Sequence, residues 1–274
     1  MNAAPASLAL DERQRAMLAE MGVRVWAPLA DAPPTPSPEP AFVARAAQPV
    51  QVPVPTPLVH AAPAVTGRTP ARSRPEGVDV MDWAALRGAV AGCQACKLCE
   101  GRTKTVFGVG DERADWLIVG EAPGEHEDLQ GEPFVGQAGK LLDNMLKALG
   151  LDRQHKVFIA NVLKCRPPGN RTPSEDELMA CRPYLLKQIE MIKPRLIVAL
   201  GGSAAKTLLQ QTDVKVGELR GQIFDAQGIP LVVTYHPSYL LRSPMEKAKA
   251  WEDLCFMRRT MRSLKEQTSI RPDS

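Results

Sequence analysis

Residues 116–124 read WLIVGEAPG: four apolar residues that stop at Gly120, meet a glutamate at 121 and turn through Pro123 and Gly124. An apolar run too short for a helix and closed by turn residues is the pattern of a strand buried on both faces. Runs at 156–162, 195–200 and 231–234 repeat it. Helical patterns alternate with them, at 82–91, 137–149 (closed by Gly150), 174–192, from about Ser203, and at 247–265. Such alternation predicts a three-layer αβα fold around a central, mostly parallel, four-stranded sheet. Ligands of such sheets sit beyond the carboxyl ends of the strands. The stretches GEAPGEHED (120–128), the asparagine of IANVLKC (Asn161) and YHPSYLL (235–241) each begin where a predicted strand ends, so they should share one crevice.

The 274 residues divide unevenly. Within residues 1–27, Leu10, Met17, Leu18 and Met21 fall on one face of a short amphipathic helix, with Asp11 as N-cap and Gly22 as stop. Residues 28–79 hold about half of the chain's 25 prolines and no sustained period, which predicts a disordered or polyproline-like linker. The catalytic domain is expected over 80–266 and a flexible tail over 267–274. No stretch reads as a signal peptide or reaches the roughly 18 apolar residues of a membrane span, so a soluble, cytoplasmic monomer is expected. In that compartment six cysteines with CxxC spacing point to metal ligation rather than disulfides. A formal net charge of +3 excludes a broad basic field, so any contact with nucleic acid must be local.

GEAPGEHED, EPFVGQAGKLL, NVLKCRPPGNRTP, ACRPYLLKQIE and HPSYLLR, in this order and at this spacing over roughly residues 82–264, resemble the iron-sulfur, family 4 uracil-DNA glycosylases. The resemblance implies a uracil-DNA glycosylase-like fold and hydrolysis of the bond between uracil and deoxyribose in uracil-containing DNA. It implies Cys93, Cys96, Cys165 and Cys181 as ligands of a structural 4Fe-4S cluster. Four thiolates alone would suit zinc as well. Cys99, which makes a second CxxC with Cys96, and Cys255 are read as non-ligands. The N-terminal string RQRAMLAEMGVRVW resembles, in turn, the clamp-loader-binding N-terminus of bacterial polymerase psi subunits, which implies a replication or repair protein as partner of that peptide.

The resemblance implies roles for these residues, and the chemistry supports them. A glycosylase holds a flipped base in a pocket that stacks on its face and reads its edge. Phe134 is the expected stacking platform, and Asn161 can pair with the imide nitrogen and a carbonyl of uracil. Pro237 aims His236 into the cleft as a donor toward charge developing on the base. Glu121 is expected beside the sugar, orienting water, with Asp128 as the alternative for that task. Glu127 is expected against the uracil ring, and the backbone at Ala122 and Gly124 along the pocket. Leu240 and Leu241 suit a wedge between base steps, with at least one of the two expected to pack into the following helix instead, and Arg242 suits phosphate. Arg171, Arg166 and Lys164 are expected to supply local positive charge. Three other readings compete: a relative that keeps a covalent bond to the uracil site, a noncatalytic metal-bearing DNA-binding module, and a nucleotide-handling enzyme. PPGNRTPSEDE contains no histidine for the first, intact Glu121, Asn161 and His236 oppose the second, and no P-loop lysine accompanies the glycine turn for the third.

Overall fold

The computed structural model describes residues 75–270, so the predicted helix within 1–27, the linker up to residue 74 and the end of the tail lie outside the described residues. A first helix, α1 (Trp83–Ala91), is capped by the Asp82 carboxylate, which accepts from Ala85 N. A short α2 (Leu98–Gly101) carries Cys99. Strands β1 (Val109–Gly110) and β2 (Trp116–Gly120) follow, then α3 (Glu125–Gln130), α4 (Gln137–Ala148), β3 (Val157–Asn161), α5 (Glu175–Ile192) and β4 (Leu196–Leu200). The chain continues through α6 (Gly202–Leu209), α7 (Val216–Leu219), β5 (Phe224–Ala226), β6 (Ile229–Thr234), α8 (Pro237–Arg242) and α9 (Lys247–Ile270).

The sheet has six strands in the order β1-β3-β2-β4-β6-β5. The four expected strands form its parallel centre. Two short antiparallel strands extend the edges, β1 against β3 and β5 against β6. Every residue of β2, β3 and β4 is buried, which explains why these segments carry continuous apolar runs rather than alternation. One core packs α1, α5 and α6 on one face, through residues such as Leu86, Tyr184, Leu185 and Ala204. The other packs α4, α8 and α9 through Leu141, Met145, Leu240 and Leu254. The three layers are therefore as the sequence predicts. The chain starts the parallel sheet at β2, steps to β3 on one side and then to β4 and β6 on the other. That reversal opens a crevice at the carboxyl ends of the strands. No helix among the described residues is long and apolar enough to cross a membrane.

Two expectations are corrected by packing. Leu240 is not an exposed wedge: HPSYLLR forms helix α8 rather than a loop, and one helical face turns Leu240 into the core at 0 % exposure while Leu241 stays 42 % exposed. Lys164 does not contribute surface charge. Its side chain is 1 % exposed, and its ammonium donates to Phe107 O (3.2 Å), Asn161 O (2.9 Å) and Gln188 Oε1 (2.7 Å). A buried ammonium needs these three acceptors. Leu240→Ala should therefore lower stability by about 2–5 kcal/mol, whereas Leu241→Ala should change it by less than about 0.5 kcal/mol. Urea melts of the two variants check both expectations.

Candidate active site

A cleft of about 640 Å³ opens at the crevice and gathers Glu121, Ala122, Gly124, Glu127, Phe134, Asn161, Arg171, His236 and Arg242. That size suits a small ligand such as a single base. Its floor is set by strand register. Gly120, the last residue of β2, pairs with Asn161, the last of β3. A Cβ on Gly120 would lie 2.3 Å from Asn161 Oδ1 and 2.6 Å from Phe134 Cζ, so only glycine lets both side chains close over this point. Asn161 is 1 % exposed, and its Oδ1 is buried with no hydrogen-bond partner among the described residues. A buried acceptor without a donor is costly, typically by about 1–3 kcal/mol. Asn161 is also among the residues that line the cleft.

Phe134 covers the floor from the other side. It is 5 % exposed, and its ring stacks on that of His236 with centroids 5.5 Å apart and planes at 30°. Its φ of 55° is left-handed, a conformation that costs a bulky residue about 1–3 kcal/mol and persists only where the surroundings enforce it.

His236 is the N-cap of α8. Its Nδ1 accepts from Ser238 N at 3.2 Å and lies 2.5 Å from Ser238 Oγ. Since Nδ1 accepts, the ring proton belongs on Nε2, which leaves an N–H donor on the far side of the ring. Burial, reinforced by the positive charge of Arg242 and opposed by Glu127, pushes the imidazole down to about 4. It is therefore neutral at neutral pH.

Three of the four carboxylates between residues 121 and 128 differ sharply. Glu121 lines the cleft, and its Oε2 accepts from Ser203 Oγ at 2.5 Å, a partner supplied by the start of α6 that no sequence signal marks. Glu127 also lines the cleft, but both its oxygens are engaged: Oε1 accepts from Val135 N (2.9 Å) and Gly136 N (3.1 Å), Oε2 from Gly124 N (3.1 Å). Asp128 is 3 % exposed, accepts from Thr103 N and Lys104 N, and is not among the residues lining the cleft. The alternative that gave Asp128 the work of Glu121 therefore has no geometric basis. It anchors the chain leaving α2.

At the rim, Arg171 is bound to Glu177 through two bonds of 2.8 and 2.6 Å, and that pairing holds the Glu177 carboxyl down at about 2. Arg166 pairs with Glu125 at 3.5 Å. Arg242 is exposed and makes no ion pair among the described residues. The exposed Leu241 and Met245, the latter at 85 %, stand beside it in sequence, and Met245 was not marked by any sequence pattern.

Behind the cleft, Cys93, Cys96, Cys165 and Cys181 line one small cavity with Arg102, Lys164 and Tyr184, and Cys99 lines it too. Cys255 does not. Three of the four sulfurs receive N–H donors: Arg102 Nη1 to Cys165 (3.2 Å), Lys164 N to Cys181 (3.2 Å) and Ala95 N to Cys93 (3.5 Å). Burial pushes the Cys165 thiol up to about 11 and that of Cys181 up to about 12, so thiolates in this cavity need a positive centre among them. Among the described residues no group of three or more His, Cys, Asp or Glu side chains is gathered as a metal ion would require. Four thiols, cationic Arg102 and Lys164, and N–H groups aimed at sulfur are a donor set that fits an anionic thiolate-bound centre.

The cleft thus gathers an aromatic ring, a buried asparagine and a neutral imidazole at the carboxyl ends of the strands. The chain matches the Uracil DNA glycosylase superfamily over residues 107–255, and it belongs to that family. It is 43 % identical over 188 residues to a type-4 uracil-DNA glycosylase of Saccharolobus solfataricus, covering 66 % of this chain and 83 % of the relative. Similar type-4 uracil-DNA glycosylases occur in Pyrobaculum aerophilum (42 %; 64 % of this chain, 92 % of the relative) and Thermotoga maritima (47 %; 55 % and 79 %).

Two expectations follow from the geometry. Gly120→Ala should fold but lose at least about 100-fold in turnover, since a displacement near 1 Å at a reacting geometry costs that much. Single-turnover kinetics beside a thermal melt measure it. A plot of rate against pH should show no inflection near 6.5 from His236. In stability the sign is that of a depressed base: below about 6.5 the unfolded chain takes the proton first, so the His236 contribution falls progressively as pH drops toward 4. Denaturant melts from pH 7 to 4.5, compared with His236→Gln, report it.

Proposed function

We propose that this protein is a monofunctional uracil-DNA glycosylase that takes uracil out of DNA, hydrolyses its N-glycosidic bond and leaves an abasic site for base excision repair. The observation that carries the reading is the buried Oδ1 of Asn161, unpaired among the described residues, on the floor of a cleft that Phe134 also lines. Uracil brings an N–H at N3 to that oxygen and a carbonyl to the amide NH₂. Cytosine offers an unprotonated ring nitrogen and an amino group there, so both contacts turn repulsive.

The remaining steps follow from the charges. As the C1′–N1 bond breaks, its electron pair passes to the base, and the Nε2–H of neutral His236 donates to O2 as negative charge develops there. Glu121, its other oxygen held by Ser203, faces the sugar, orients a water and accepts its proton while the water oxygen bonds to C1′. Glu127 supports this site by fixing both turns through three backbone N–H groups. Leu241 fills the space left by the flipped nucleotide, and Arg242 meets phosphate. Arg171, paired with Glu177, contributes shape at the rim.

Cys93, Cys96, Cys165 and Cys181 would hold a 4Fe-4S cluster, which would supply no electrons to hydrolysis and would tie the chain before β1 to the loop after β3 and to α5. The resemblance in the order and spacing of the motifs favours this group over zinc. Residues 1–27 are proposed as a docking peptide for a replication or repair partner.

An oligonucleotide with one uracil, cleaved only after alkali, supports the proposal. Intact product after alkali, from protein retaining its visible absorption, sinks it. Cys165→Ser should lose the brown absorption and most of about four irons per chain, and excision with it. Full iron in that variant would remove Cys165 from the ligand set.

A further inference from the structure

Phe134 cannot hold its place unaided. Its left-handed backbone lies in the turn 133–136, which is gripped from two sides. On the amide side, Glu127 accepts from Val135 N and Gly136 N. On the carbonyl side stands Arg153, from the loop between α4 and β3. Its Nη1 donates to Pro133 O at 2.9 Å, and its Nη2 donates to Phe134 O and reaches Gly139 O at 3.5 Å. Its Nε pairs with Asp143 on α4. One planar guanidinium thus joins two consecutive carbonyls of the turn to the helix that follows it. The approach of the turn to α4 is close enough that a Cβ on Gly139 would fall 1.7 Å from Phe134 O, so the turn, the helix and Arg153 form one tight contact. Arg153 itself does not line the cleft.

We propose that Arg153 is a positioning residue of the base pocket, which acts on excision solely by locking the Phe134 turn in its left-handed conformation. The inference rests on the reading of Phe134 as the platform under uracil. An arginine is required: its fork spans both carbonyls, whereas the lysine ammonium is a point charge that cannot hold two acceptors and a carboxylate in one plane.

The test is a double-mutant cycle in single-turnover excision. Arg153→Ala should slow the wild type by about 10- to 100-fold, Arg153→Lys by less, and Asp143→Asn by under about threefold, since that exposed pair contributes little. In a Phe134→Ala background, Arg153→Ala should change the rate by less than about threefold. Equal losses in both backgrounds overturn the proposal, because a general structural role would act whether or not the ring is present. So does an unchanged rate in folded Arg153→Ala. If Arg153→Ala does not fold, Arg153→Lys carries the same cycle. Phe134→Ala alone tests the underlying reading. A near-wild-type rate there removes the platform role and the proposal together, while a large loss there with an additive cycle removes only Arg153.

Discussion

The pairing of Gly120 with Asn161 at the ends of two adjacent parallel strands is the constraint on which the site rests. Register brings a glycine opposite the asparagine that lines the cleft. The space left by the missing Cβ is taken by Asn161 Oδ1 and the Phe134 ring. A one-residue slip would put Val119 or Ala160 at this junction and turn the asparagine to the other face of the sheet. The fully buried parallel core leaves no freedom for such a slip.

Around this floor, charge is distributed economically. Of the four carboxylates between residues 121 and 128, Glu127 and Asp128 are consumed by backbone N–H groups and Glu125 pairs with Arg166, while Glu121 lines the cleft with one oxygen bound to Ser203. Under the proposed function, neutral His236 would avoid placing a cation beside the base before charge exists there. A neutral donor matched to an anion that forms only during reaction discriminates in favour of the transition state. The fixed Nδ1 acceptor geometry at the start of α8 sets the tautomer that makes this possible.

Much of this was legible in the sequence. The continuous apolar runs at 116–119 and 195–200 announced buried parallel strands, and their ends located Glu121, Asn161 and His236 correctly in one crevice. The edge strands β1 and β5 were not visible, because two or three residues carry no period. That one of the two adjacent leucines packs inward is as expected, but which of them does so is decided only by helix α8, which assigns Leu240 and Leu241 to different faces. Lys164 was misread because its three acceptors come from residues 107, 161 and 188, a convergence visible only in three dimensions. The same is true of Ser203 and Arg153. Each acts through a hydroxyl or guanidinium placed by tertiary contacts, and neither belongs to a spacing motif.

The cysteine cavity has a consequence for biogenesis. Cys93 and Cys96 leave the ribosome ahead of about 70 residues that must be made before Cys165. Closing a loop of that length costs entropy before any contact offsets it. Arg102 spans the two halves, donating to Cys93 O on the early side and to Cys165 Sγ on the late side. The cavity is thus complete only after β2 and β3 have paired and Cys181 has followed on α5. Under the proposed cluster, loading would therefore wait until residue 181 has been made, and a nascent chain stalled before that point would offer an incomplete set of thiols.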